Sequence, residues 1–94
     1  MYYILEGKIP RKIEDMDEFI NHPHQVITVK STNISDILIS TVFLGIDHAF
    51  GRGEPILFET MIFGGEHNEY QERYATWEEA EEGHHRACEL VLNS

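Results

Sequence analysis

Two apolar, β-branched runs lie almost back to back in this chain, and they constrain its fold more than any other feature. Gln25 to Thr32 reads QVITVKST, with Val26, Thr28 and Lys30 on one face of an extended strand and Ile27 and Val29 on the other. Ile34 to Ile46 contains ILISTVFLGI, the most apolar stretch of the sequence. As a strand it places Ile37, Ile39, Thr41 and Phe43 on one face and Leu38, Ser40, Val42 and Leu44 on the other. Both faces read as buried, which predicts a central strand. Thr32-Asn33 with Ser35-Asp36 supplies turn chemistry for an antiparallel pairing. Pro55 to Phe63 is a further strand: Ile56, Phe58, Thr60 and Ile62 share one face, and Leu57, Glu59, Met61 and Phe63 the other. Gly64-Gly65 closes it, and Tyr70 to Tyr74 reads as a last short strand.

The ends of the chain add helices. Tyr2 to Leu5 is a strand, with a short hairpin turning at Gly7; Pro10, which has no amide to donate, belongs at an edge. Met16, Phe19 and Ile20 form an apolar stripe on a short helix, Asp15 to Asn21, and His22-Pro23 ends it. Thr76-Trp77-Glu78-Glu79 has the form of a capping box. Trp77, Ala80, His84, Ala87, Cys88 and Val91 follow at helical spacing as a buried stripe. Glu78, Glu79, Glu81 and Glu82 crowd the first turns, where the helix dipole favours negative charge. Gly83 costs about 0.5–1 kcal/mol against alanine, and the close approach of a strand would account for it. The expected fold is α+β: an antiparallel sheet of four to five strands, the C-terminal helix packed on one face, and the short N-terminal helix completing the layer. A length of 94 residues holds this as one domain, 1–94, with a thin core.

Charge narrows the partners. Seven basic against seventeen acidic residues leave −10 at neutral pH. Nucleic-acid affinity rests on Lys and Arg displacing counterions, and the one basic cluster, Lys8, Arg11 and Lys12, runs straight into Glu14 and Asp15. No direct nucleic-acid partner is therefore expected. An acidic surface can instead imitate DNA toward an enzyme that grips it, or simply keep a small protein soluble. No apolar run approaches the roughly 18 residues of a membrane span. MYYILEGKIPRK lacks a basic region ahead of a long apolar stretch and predicts no signal peptide. Cys88 alone forms no internal disulfide, which fits a reducing cytoplasm.

Chemistry has few places to sit. Six histidines raise a metal hypothesis, but His22 and His24 flank a proline, and His84 and His85 point about 100° apart on a helix. Surface histidines are the expectation, with no metal and no cofactor. A hydrolase would use Asp47 and His48 with Glu59, yet sequence neighbours need not meet, and no nucleophile elbow, phosphate loop or Cys-x-x-Cys is present. Cys88 reads as a small apolar group on a buried helix face. Catalytic residues are accordingly unassigned. Mid-strand Glu59 must be paired or wet: a ligand contact, a partner for Arg52, Arg73 or His48, or an edge-strand residue. Gly45 to Pro55, GIDHAFGRGEP, reads either as a wide turn using the positive φ of glycine or as a loop whose amides and Arg52 hold an anion.

The run STVFLGIDHAFGRGEPILFETMIFGG, Ser40 to Gly65, followed by RYATWEEAEEGH, Arg73 to His84, resembles small uncharacterised phage- and prophage-associated proteins sharing the pattern STVFLGIDHxFG, LFETMxFGG and RYxTWxEAxxGH. The likeness covers about half of the chain, and the first 33 residues follow it only loosely. It brings no activity. It implies a phage-related protein in the bacterial host cytoplasm, and it marks Asp47, His48, Phe50, Gly51, Glu59, Arg73, Tyr74, Trp77 and His84. Taken together, the expectation is a non-enzymatic binding protein. Its ligand-binding set is Asp47, His48, Phe50, Gly51, Arg52, Glu59 and Arg73, with Arg73 completing the site across a dimer interface. The ligand would be a nucleotide-like signalling molecule sequestered as a counter-defence. The alternatives are an acidic, DNA-mimicking inhibitor of a host protein that uses the helix glutamates, or a metal-dependent hydrolase. A small sheet also leaves an edge or face to cover, which predicts a homodimer or higher homo-oligomer.

Overall fold

A computed structural model describes residues 2–21, 27–49 and 52–94. Its elements are β1 (Tyr2–Glu6), β2 (Ile9–Ile13), α1 (Met16–Asn21), β3 (Ile27–Ile34), β4 (Ile37–Phe43), β5 (Phe58–Phe63), β6 (Gln71–Tyr74) and α2 (Trp77–Leu92). The fold is α+β, with a four-stranded antiparallel sheet in the order β3-β4-β5-β6 and a separate β1-β2 hairpin. No helix among the described residues is long and apolar enough to cross a membrane.

Local chemistry explains the turns. Ile34 pairs with Ile37 around a two-residue turn whose first member, Ser35, takes a φ of 56°. The β1-β2 turn begins at Gly7 with a φ of 65°, and Pro10 is accommodated because among the described residues β2 has β1 as its sole neighbour in that sheet. Gly45, also at positive φ, lets the chain leave β4 and accept the Tyr3 amide at 2.8 Å, which fastens the hairpin to the main sheet.

α2 lies across one sheet face. Its capping box is complete: the Glu79 amide donates to Thr76 Oγ1 at 3.1 Å, and Glu79 Oε1 accepts from the Thr76 amide at 3.1 Å. Thr76→Ala is expected to lower stability by about 1 kcal/mol in urea unfolding. A loss of only a tenth or two would mean that the cap contributes nothing. Ala80 packs with Phe43, Leu57, Phe58 and Tyr74, and Ala87 and Val91 pack with Ile39 and Ile62. Trp77 meets Phe58 edge-on at 6.3 Å and carries the Lys8 ammonium 5.8 Å above its ring, so the hairpin closes that end of the core.

Two expectations are corrected. The β4 strand is central, but only Ile39, Thr41 and Phe43 are buried; Leu38, Ser40 and Val42 on the opposite face are half-exposed, because α2 supplies one layer and no described element covers the other. α1 does not complete the main layer: its contacts are with β1 and β2, and Met16 and Ile20 are exposed. His84 lies on the buried stripe expected of α2 and is 2% exposed, apart from the surface histidines expected elsewhere. The expected helix stop at His22-Pro23, the residue Val26 and the loop residues Phe50 and Gly51 lie outside the described residues.

Candidate functional site

The loop from β4 to β5 is organised by Asp47. This carboxylate is buried, and one oxygen, Oδ1, accepts the amides of Ala49 at 2.7 Å and Ile56 at 2.9 Å. The His48 amide donates to the Ile56 carbonyl at 2.9 Å, and the Leu44 amide to that of Leu57 at 2.7 Å, so the two limbs are laced at the base. Asp47 and His48 therefore shape the loop through backbone hydrogen bonds. Arg52 is exposed and has no ion pair among the described residues.

Glu59 and Arg73 do come together. They are register neighbours on β5 and β6, and Arg73 Nε donates to Glu59 Oε2 at 2.9 Å while Gln71 Nε2 donates to the same oxygen at 2.8 Å. Glu59 is 8% exposed, on an interior strand, so the paired reading holds and the wet edge-strand reading does not. The Arg73 that engages it belongs to the same chain; this ion pair needs no dimer interface.

Arg73 also borders a cavity of about 340 Å³ between the β6 edge and the first turns of α2. Its lining comprises Glu54 and Ile56 of the β4-β5 connection, Tyr74 and Ala75 at the end of β6, and Glu79, Glu82 and Arg86 of α2. Among the described residues, Arg73 is the member of the expected ligand-binding set that lines it. Arg86 Nη2 donates to Glu72 Oε1 at 2.8 Å. Burial works to raise the Glu72 carboxyl, but hydrogen bonds led by that from Arg86 outweigh it and hold the group below its ordinary value. The same bond holds Arg86 above the usual guanidinium range. Tyr74 Oη is buried without a well-formed hydrogen bond among the described residues, and burial pushes its phenol far up.

The electrostatic balance of the cavity is negative. Both arginines are engaged by Glu59 and Glu72, and Glu79 is engaged by the helix cap. Glu54 and Glu82 have no ion pair among the described residues. Of the helix glutamates singled out in the sequence, Glu79 and Glu82 face the cavity, and Glu78 and Glu81 are exposed. The sequence reading missed Glu54, Ile56 and Arg86. A signal for Arg86 existed: Glu79, Glu82 and Arg86 stand at i, i+3 and i+7, one face of a helix.

A second polar group lies beneath α2. Thr41 and Thr60 face each other across β4 and β5, their hydroxyls hydrogen-bonded, and His84 Nδ1 meets Thr41 Oγ1 at 2.7 Å. His84 Nε2 meets Thr32 Oγ1 at 2.8 Å. Burial first, and the charge of Lys30 second, lower the imidazole pKa, so the ring is neutral and ties α2 to three strands. Among the described residues no group of three His, Cys, Asp or Glu side chains is placed to hold a metal ion. Comparisons with protein-family models, with curated proteins and with solved structures give no match for this chain.

Proposed function

We propose that the protein is a non-enzymatic binding protein of phage type that grips a basic surface of a host protein in the bacterial cytoplasm, imitating the charge of DNA. The observation that carries this reading is the cavity beside α2: three carboxylates, Glu54, Glu79 and Glu82, line it, and its two guanidiniums, Arg73 and Arg86, are already paired with Glu59 and Glu72. An anionic, nucleotide-like ligand would enter against that field and would have to displace Glu59 or Glu72 to reach either arginine. A lysine or arginine side chain from a partner meets the opposite situation, with Glu54 and Glu82 ready to receive it. Exposed Glu78 and Glu81 extend the negative surface along α2 and would steer association at low salt.

Titration calorimetry with an arginine-rich decapeptide tests the reading. Binding is expected at low salt and should weaken steeply as salt rises. Glu54→Gln with Glu82→Gln should weaken it about tenfold, equivalent to ~1.4 kcal/mol. Neutralising Glu66 and Glu69, exposed in the β5-β6 connection, should change it far less. Equal losses from the two pairs would reduce the binding to general charge attraction. A nucleotide that binds instead, and is lost with Arg52→Ala and Arg73→Ala, would overturn the proposal.

A further inference from the structure

The two edges of the main sheet are unequal. β6 has four residues and is flanked by the Arg86–Glu72 ion pair, whereas β3 has eight residues and no strand beside its outer edge among the described residues. Long bare edges invite strand addition, and proteins usually blunt them with bulges and lysines. β3 has both devices, but only in its first half: the register slips between Thr28 and Lys30, and Lys30 is exposed. From Ser31 to Ile34 the pairing with β4 is regular and the strand is uncharged.

Pairing alternates in an antiparallel ladder, and the two-residue turn makes Ile34 and Ile37 a hydrogen-bonded pair. Thr32 is then bonded to β4 like Ile34, while the amides and carbonyls of Ser31 and Asn33 point out of the sheet. Both side chains are exposed.

We infer that β3 is a homodimer interface, joining two copies antiparallel about a two-fold axis at Thr32 into one eight-stranded sheet. The register sets Ser31 against Asn33 of the second copy, Thr32 against Thr32, and Lys30 against Ile34. No like charges oppose each other, and a threonine pair at the centre is favourable. Charge also selects this edge for a chain of −10: residues 27–43 contain one acid, Asp36, balanced by Lys30. Two copies therefore approach where their carboxylates are sparsest. His84 stands over Thr32, so α2 from each copy comes alongside and widens the contact beyond the strands.

Native mass spectrometry of the full chain at micromolar concentration tests this. The wild type is expected at twice 10.9 kDa. Ser31→Glu with Asn33→Glu sets acid against acid in both symmetry-related pairs and should give the monomer, with circular dichroism unchanged because both sites are exposed in the single chain. Ser31→Lys with Asn33→Glu sets cation against anion in the same pairs and should restore the dimer. A monomeric wild type, a dimer that survives the acidic pair, or a Lys/Glu variant as monomeric as the Glu/Glu one would overturn the inference. So would saturation of the edge by an unrelated extended peptide without any dimer.

Discussion

Gly83→Ala is expected to destabilise the protein by roughly 2–3 kcal/mol, although alanine is the better helix former by about 1 kcal/mol. A β-carbon at position 83 would overlap Oη, Cζ and Cε1 of Tyr74. The ring edge cannot step aside cheaply, because Tyr74 is buried among Phe43, Leu57, Phe58 and Ala80. Helix propensity and overpacking thus act in opposite directions, and overpacking wins because it displaces an aromatic ring. For a domain of this size the loss corresponds to a fall in Tm of roughly 10–20 °C. Tyr74→Leu removes the obstacle, so on that background Gly83→Ala should be neutral or stabilising. An alanine variant as stable as the wild type would show that the helix and β6 can separate without penalty.

The second large effect belongs to His84. His84→Ala should cost about 3 kcal/mol, since it opens a cavity and strips the Thr32 and Thr41 hydroxyls of a buried partner. The ring also makes stability depend on pH. Its folded pKa is lowered, by burial first and by Lys30 second, while the unfolded histidine titrates near 6.5. The unfolded chain therefore binds the extra proton. Stability is complete above about pH 6.5 and declines as pH falls below it, by up to about 1.4 kcal/mol per pH unit. His84→Gln keeps a polar side chain in place without that proton. Urea unfolding at pH 7.5 and 5.5 should show a drop in the wild type that largely disappears in the glutamine variant. Parallel curves for the two would place the pH dependence on other groups.

Elements defined by local chemistry were readable from the sequence. Thr76 and Glu79 announce the start of α2, the spacing of Ala80, His84, Ala87 and Val91 gives its buried face, and Gly83 marks the approach of Tyr74. The strand alternation in Ile37–Phe43 and Phe58–Phe63 gives the register faces. What was not readable depends on which layer exists. An alternating strand with apolar residues on both sides looks buried twice, and nothing local reveals that one side of β4 lacks a cover. α1 misleads for a related reason: an apolar stripe predicts a buried face only if a surface is there to receive it. Within the expected binding set, Glu59 and Arg73 pair across β5 and β6, while Asp47 accepts two backbone amides of its own loop. The cavity instead joins Glu54 to Glu82 and Arg86, pairs separated by a whole strand pair in sequence. The packing of α2 against β6 brings them together.

The lacing at the base of the β4-β5 loop separates two properties that usually vary together. One carboxylate oxygen holds the amides of Ala49 and Ile56, and the backbone of His48 is bonded to Ile56. The ends of the loop are thereby pinned a few ångströms apart, whatever lies between them. Lengthening a loop whose ends are already fixed costs entropy only logarithmically. Residues can therefore be gained or lost around Gly53 while β4 and β5 keep their register, leaving the composition of this loop free to diverge on an unchanging sheet.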